Sequence, residues 1–205
     1  MSNKVEGRTQ EVEIDRMFNL VGAFDDKMAD DFLNFCLDIE AFDAEYSHQF
    51  PNNDLTPIVI NINSNGGNVD ALMAMLDALE LVKAPVIARV LGRCCSCALF
   101  FYVHADLRTC GSNSEFLYHN VLYNTDLQPL FEHEILLKKS QQLQKRVDEQ
   151  IIEHTNITQK QLTAHRKEDW WFGKEEAIEL GVVNFDGHQG IVYDIYYGES
   201  EGDGQ

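Results

Sequence analysis

From Glu11 to Leu20 the apolar residues Val12, Ile14, Phe18 and Leu20 fall at even spacing, the period of a strand with one buried face. Gly22 is expected to end that strand. Asp25–Phe42 then carries Met28, Phe32, Phe35, Cys36 and Ile39 at helical spacing, and the polar stretch holding His48, Pro51 and Asn52 reads as a surface loop. Pro57–Asn63 is the next predicted strand, Asn68 is placed to cap a helix reaching Val82, and Pro85–Leu91 is a second strand rich in Val and Ile. These three form a βαβ unit. A short helix is predicted from Ser96 through Tyr102 and a strand over Glu115–His119. The longest helical pattern runs from Pro129 to about His154, with Leu136, Leu143, Val147 and Ile151 among Lys, Glu and Gln, so that it projects or pairs. Thr158 and Gln161 fit a capping box, and Lys174–Leu180 gives a last helix stopped by Gly181. The alternation implies a parallel α/β sheet in a single domain over 1–197, with an acidic, Gly-rich, disordered tail over 198–205.

Composition narrows the partners. A chain of 205 residues, 44% hydrophobic, is long enough for one core. Sixteen Lys and Arg against 34 Asp and Glu give a formal charge of −18, which repels nucleic acid and anionic lipid alike. No apolar run reaches the length of a membrane span and residues 1–10 lack a basic-then-apolar leader, so a cytoplasmic protein is expected. The five cysteines are odd in number, with three crowded into 94–97, which suits reduced thiols. Cys94 and Cys97 have no second pair to complete a zinc site, so neither metal nor cofactor is expected.

Four features could carry chemistry, and each has a plainer reading. Gly66-Gly67 lies between a strand and a helix, where glycines expose backbone N–H groups to a ligand, or simply fit a tight turn. The Gly-Lys-Ser/Thr ending of a phosphate loop is absent. Ser96 follows a strand and opens a helix, the place of a nucleophile or of an ordinary N-cap. Its flanks are not Gly-x-Ser-x-Gly. His119 closes a strand and could serve as a general base, whereas the other histidines read as surface residues. Asp169 precedes Trp170 and Trp171, whose rings could orient a carboxylate.

Their combination is more specific. Ile62-Asn63-Ser64-Asn65-Gly66-Gly67, then Gly92–Ala98, then Asn113–His119, then Asp169 and Glu176–Val183 together resemble, in this order, the Clp protease proteolytic subunit (ClpP) family of serine peptidases. The resemblance implies a ClpP/crotonase-like fold of repeated β-β-α units with a projecting handle over about 120–156. It implies Ser96 as nucleophile, His119 as base, Asp169 as the group orienting the imidazole, and the N–H groups of Gly67 and Cys97 as oxyanion donors. Glycine at 67 is then expected because a side chain would crowd the scissile carbonyl. The family's members act as homo-oligomers, stacking two heptameric rings into a chamber fed by a hexameric AAA+ unfoldase, and hydrolyse peptides or unfolded proteins without a cofactor.

Several positions depart from the family pattern. Asn65 stands where the family has proline, and Cys94, Cys95 and Cys97 surround Ser96 in place of Ala, Ala and Met. Asn120–Thr125 replaces Gln-Pro and a glycine-rich strand that pairs with substrate. Val59 and Asn61 occupy positions that are aromatic in the unfoldase-docking pocket, which predicts poor docking of the usual unfoldase, or use of a different one, in a specialised or virus-encoded relative. Two other readings stand beside the peptidase: a catalytically weak or inactive ring subunit that scaffolds or regulates a partner, and an acyl-thioester enzyme of the crotonase type.

Overall fold

The computed structural model describes residues 14–122 and 129–186. The tail beyond Gly198 and the first residues of the expected N-terminal strand lie outside them. In chain order the elements are β1 (Met17–Phe24), α1 (Asp26–Gln49), β2 (Ile58–Gly67), α2 (Val69–Leu79), β3 (Val86–Cys95), α3 (Cys97–Tyr102), β4 (Leu107–Cys110), β5 (Glu115–Tyr118), α4 (Leu130–His154), α5 (Gln159–Ala164), β6 (Trp170–Gly173) and α6 (Lys174–Glu179). The expected caps form, Asn68 accepting from Asp70 and Thr158 making the capping box with Gln161, and Asp25 caps α1 by accepting from the Met28 N–H.

The strands form one sheet in the order β1-β2-β3-β5-β6. β4 and β5 share one edge of β3, β4 along Ile87–Val90 and β5 along Arg93–Cys95. The fold is mixed α/β, and four expectations are corrected. The sheet is not wholly parallel, because β6 runs antiparallel to β5. β4 and β6 are further strands, which the residue pattern does not single out. Gly22 does not end β1: it takes φ 104° at the irregularity between Val21 and Ala23, and the strand continues to Phe24. His48 lies in the last turn of α1, not in a loop, because Asp43 is anchored to Arg16 at 2.7 Å and Tyr46 packs on Phe50. α2 stops at Leu79, short of Val82.

One face of the sheet carries the core. Ile58, Ile60 and Ile62 of β2 meet Phe32 and Ile39 of α1 and Leu72 and Met75 of α2, all fully buried. On the opposite face Val59 and Ile87 form a small separate cluster with Met17 and Leu107. The last half of α4 is fastened to the body through Val147 and Ile151, whereas Phe131 and Ile135 of its first half stay exposed. Among the described residues no helix is long and apolar enough to cross a membrane.

Arg108, at 6% exposure, ties the helix ends to the sheet. Its guanidinium donates to Val103 O (3.0 Å) and Ala105 O (2.9 Å) beyond α3, and to His154 O (2.8 Å) at the end of α4. It also donates to Gly181 O (3.1 Å) and Val182 O (2.9 Å) beyond α6. Three helices thus direct the negative ends of their dipoles at one cation, and carbonyls otherwise lacking donors are satisfied. Arg108→Met should cost about 3–5 kcal/mol, as for loss of one partner of a buried ionic contact, and Arg108→Lys should fall between. Urea unfolding followed by circular dichroism reads this as a lowered midpoint at unchanged slope. A Met variant within about 1 kcal/mol of wild type would show that these carbonyls find other donors.

Candidate active site

The site is built where β2 and β3 end. Ser96 stands between β3 and α3 with φ 55° and ψ −123°, the one non-glycine residue with positive φ among those described. An N-capping serine would take extended backbone and turn its hydroxyl onto the helix. Ser96 does neither: only its carbonyl serves α3, accepting from Leu99 and Phe100 N–H at 2.9 and 3.2 Å, and its side chain makes no capping bond. A left-handed backbone costs a residue with a Cβ about 1–2 kcal/mol, so the surroundings must hold it. Ser96 N–H donates to Leu117 O at 2.9 Å, and Cys94, Cys95 and Cys97 are buried around it.

The Gly-Gly turn presses on this elbow. A Cβ on Gly66 (φ 88°) would lie 2.7 Å from Cys95 O, 2.7 Å from Ser96 Cβ and 2.9 Å from Cys97 N. A Cβ on Gly67 would instead strike Phe24 O at 2.4 Å. The neighbouring strand therefore requires a glycine at 67 on its own account. Gly66 is the residue that must lack a side chain beside the serine. Gly67 O accepts the Cys97 thiol at 3.3 Å, so the turn and the start of α3 touch directly. Ser64, which sequence reasoning passed over, pins the turn by donating to Gly22 O (2.6 Å) and accepting from Gly66 N–H (3.0 Å).

His119 follows β5 and Asp169 precedes β6. The ladder between them ends at Tyr118 opposite Trp170, and one further step of the same register sets His119 opposite Asp169. Since Ser96 is bonded to Leu117, two residues before His119, the backbones of Ser96, His119 and Asp169 meet at one end of the sheet. Their side chains are not joined: among the described residues no hydrogen bond links Ser96 Oγ to His119 or His119 to Asp169. His119 Nδ1 lies 2.6 Å from Asn120 O, and Asp169 is exposed. A carbonyl only accepts, so Nδ1 carries a proton, and in the neutral ring the lone pair is on Nε2.

Burial raises the thiols: Cys94 well above its ordinary range, and Cys97 upward, partly offset by Gly67 and Ser96. Neither is set up as a thiolate nucleophile. Among the described residues no group of three or more His, Cys, Asp or Glu could hold a metal. A groove of about 620 Å³ runs beside the turn, past Gly22, Asn65, Gly66, Arg93 and Asn113. Ser96 is not part of its lining.

A family model described as Clp protease matches residues 10–185. The chain is 29% identical over 130 residues to the ATP-dependent Clp protease proteolytic subunit 2 of Treponema denticola, covering 62% of this chain and 64% of that protein. It is 27% identical over 168 residues to the proteolytic subunit 2 of Pseudomonas aeruginosa, 80% of this chain and 77% of that one. The proteolytic subunit 1 of Corynebacterium diphtheriae is 27% identical over 172 residues, 83% and 78% of the two chains.

Gly22 and Gly66, both with positive φ, separate backbone strain from packing. Gly22 has nothing within 4 Å of an added Cβ, so Gly22→Ala should cost about 1–2 kcal/mol. Gly66→Ala adds a clash with backbone and should cost about 2–4 kcal/mol. Equal shifts of the urea midpoint in the two variants would show that the contact between turn and elbow can relax.

Proposed function

Because the chain belongs to the Clp protease family, we propose that it is a serine peptidase acting on peptides or unfolded chains inside an oligomeric chamber. The observation that carries the reading is the strained elbow at Ser96, with a hydroxyl that performs no capping. Ser96 Oγ attacks the scissile carbonyl while His119 Nε2 takes its proton and passes it to the leaving amine as the C–N bond breaks; water, giving a proton to the same nitrogen, then hydrolyses the acyl-enzyme, and the imidazolium returns that proton to Ser96 Oγ as the carboxylic acid product leaves. The N–H groups of Gly67 and Cys97 face the oxygen that gains charge, each donor contributing about 2.7–4 kcal/mol to the transition state. Asp169 orients the imidazole once the ring turns from the Asn120 carbonyl to the carboxylate. The working particle in this reading is a cytoplasmic double heptameric ring supplied by an AAA+ unfoldase.

A second reading has a specific observation behind it. Ser96, His119 and Asp169 lack side-chain bonds to one another, as an inactive ring subunit that scaffolds a partner would. Labelling with a fluorophosphonate separates the two, because only an activated serine reacts. The peptidase reading expects Ser96 to label, fluorogenic peptides to be cut, and Ser96→Ala to lose at least about 10⁴-fold in kcat/KM with its assembly size unchanged. Iodoacetamide at neutral pH should leave activity intact, since the thiols at the elbow are buried and protonated. A stable ring that neither labels nor cuts would establish the scaffold.

Asp169→Asn tests the orienting role. A loss of about 10²–10⁴-fold in kcat/KM is expected. A loss below about tenfold would assign that role to the Asn120 carbonyl.

A further inference from the structure

The peptide unit after His119 is held from both sides. Its carbonyl, Asn120 O, lies 2.6 Å from His119 Nδ1, and its N–H, on Val121, donates to Gln144 Oε1 at 2.7 Å. A trans peptide is planar, with C=O and N–H pointing opposite ways, so fixing the N–H fixes the direction of the carbonyl. Gln144 stands on α4, remote in sequence from the elbow, and is 8% exposed.

The orientation of the Gln144 amide is itself determined. Its Nε2 donates to Asp148 Oδ1 at 2.7 Å, one helical turn along α4, and lies 3.2 Å from Tyr118 Oη. Asp148 is 2% exposed, accepts from Tyr118 Oη–H at 2.8 Å, and pairs with Arg166 through its other oxygen. A carboxylate only accepts, so the amide must turn its NH₂ to Asp148 and its oxygen to Val121. Asn120 is fastened a second time by its Nδ2, which donates to Arg166 O at 2.5 Å. A buried carboxylate with three donors could be wholly structural, but these contacts bracket His119 at 118, 120 and 121.

We propose that Gln144, oriented by Asp148, is a positioning residue that sets the tautomer of His119 through the Asn120–Val121 peptide. The inference rests on the peptidase reading for its use and on this geometry for its content. An unconstrained imidazole favours the Nε2–H tautomer, which has no lone pair to take the serine's proton; the held carbonyl selects Nδ1–H.

The test is nitrogen NMR of the full chain labelled at histidine, with His119 assigned through His119→Gln and His48 as an internal reference. Wild type should show His119 as Nδ1–H, with the Val121 amide protected from exchange. Gln144→Met, of similar shape without either bond, should move His119 toward Nε2–H and slow fluorophosphonate labelling at least about tenfold. Tyr118→Phe removes a hydroxyl from the same buried network but spares the Gln144–Val121 bond, and should leave the tautomer unchanged. A folded Gln144→Met that keeps Nδ1–H overturns the proposal, and so does an equal change in Tyr118→Phe. Should Gln144→Met not fold, an Nε2–H His119 or an unprotected Val121 amide in wild type overturns it as well. Wild type that fails to label while its tautomer follows Gln144 would sink the peptidase reading and leave this one standing.

Discussion

The close approach of Gly66 to residues 95–97 is the constraint around which the site is arranged. The two strands that meet there lose regular pairing to reach it. The register of β2 on β3 shifts between Ile62 and Ser64, and Gly92 takes φ 118° where a side chain would strike Asn63 Oδ1 at 2.7 Å. That same oxygen accepts the Arg93 N–H at 3.1 Å, so the irregularity in one strand is closed by a side chain of the other. With Gly66 seated, the start of α3 is pressed against Gly67 and Ser96 is left in its left-handed conformation. Small, weakly polar residues are what such a turn can bury, and Cys94, Cys95 and Cys97 fit for that reason.

Strain of this kind persists only where the rest of the chain is firmly determined. Arg108 supplies part of that firmness by joining the ends of α3, α4 and α6, and α3 is the helix that the strained serine opens. The core adds more: Phe101 of α3 meets Phe32 of α1 edge to face at 5.3 Å and Phe24 of β1 at 6.0 Å. The elbow is thereby fixed to elements on both sides of it. By contrast, Phe131 and Ile135 in the first half of α4 are exposed, and its second half reaches the body through residues that include Gln144, Val147, Asp148 and Ile151.

The sequence made the central βαβ unit legible because its signals were local and mutually consistent: Val- and Ile-rich runs, an Asn cap, and glycines at the turn. Glu115–Tyr118 was legible for the same reason. Trp170–Gly173 was not: its antiparallel pairing with β5 is a tertiary contact that the residue pattern does not encode. The roles of the two glycines were indistinguishable from spacing alone. Which of them abuts Ser96 depends on how β1 and β3 flank the turn, a tertiary fact. Ser96 could be singled out from its place between strand and helix, but its positive φ, which separates it from an N-cap, is a backbone angle no residue name encodes. Gln144 gave no signal at all: within α4 it is one more polar residue, and its importance comes from the β5 end folding back onto that helix.

In the proposed reaction two acceptors serve His119 Nδ1 in turn, and their strengths differ with the charge of the ring. In the structure the Asn120 carbonyl holds it at 2.6 Å, a bond between neutral groups contributing about 0.5–1.5 kcal/mol. Asp169 stands just ahead of β6, one step beyond the Tyr118–Trp170 pair, and a carboxylate bound to an imidazolium contributes about 1.5–3 kcal/mol. While the ring is neutral, the half-buried peptide is the better satisfied partner, because leaving it would strand a carbonyl that Gln144 holds in place. Once the ring accepts the serine's proton in the proposed reaction, the balance moves toward the carboxylate. Either partner keeps a proton on Nδ1, so whenever the ring is neutral the lone pair the reaction needs is on Nε2. The carbonyl can thus set the tautomer in the resting protein while the carboxylate acts on the charged ring, two tasks that need not fall to one residue.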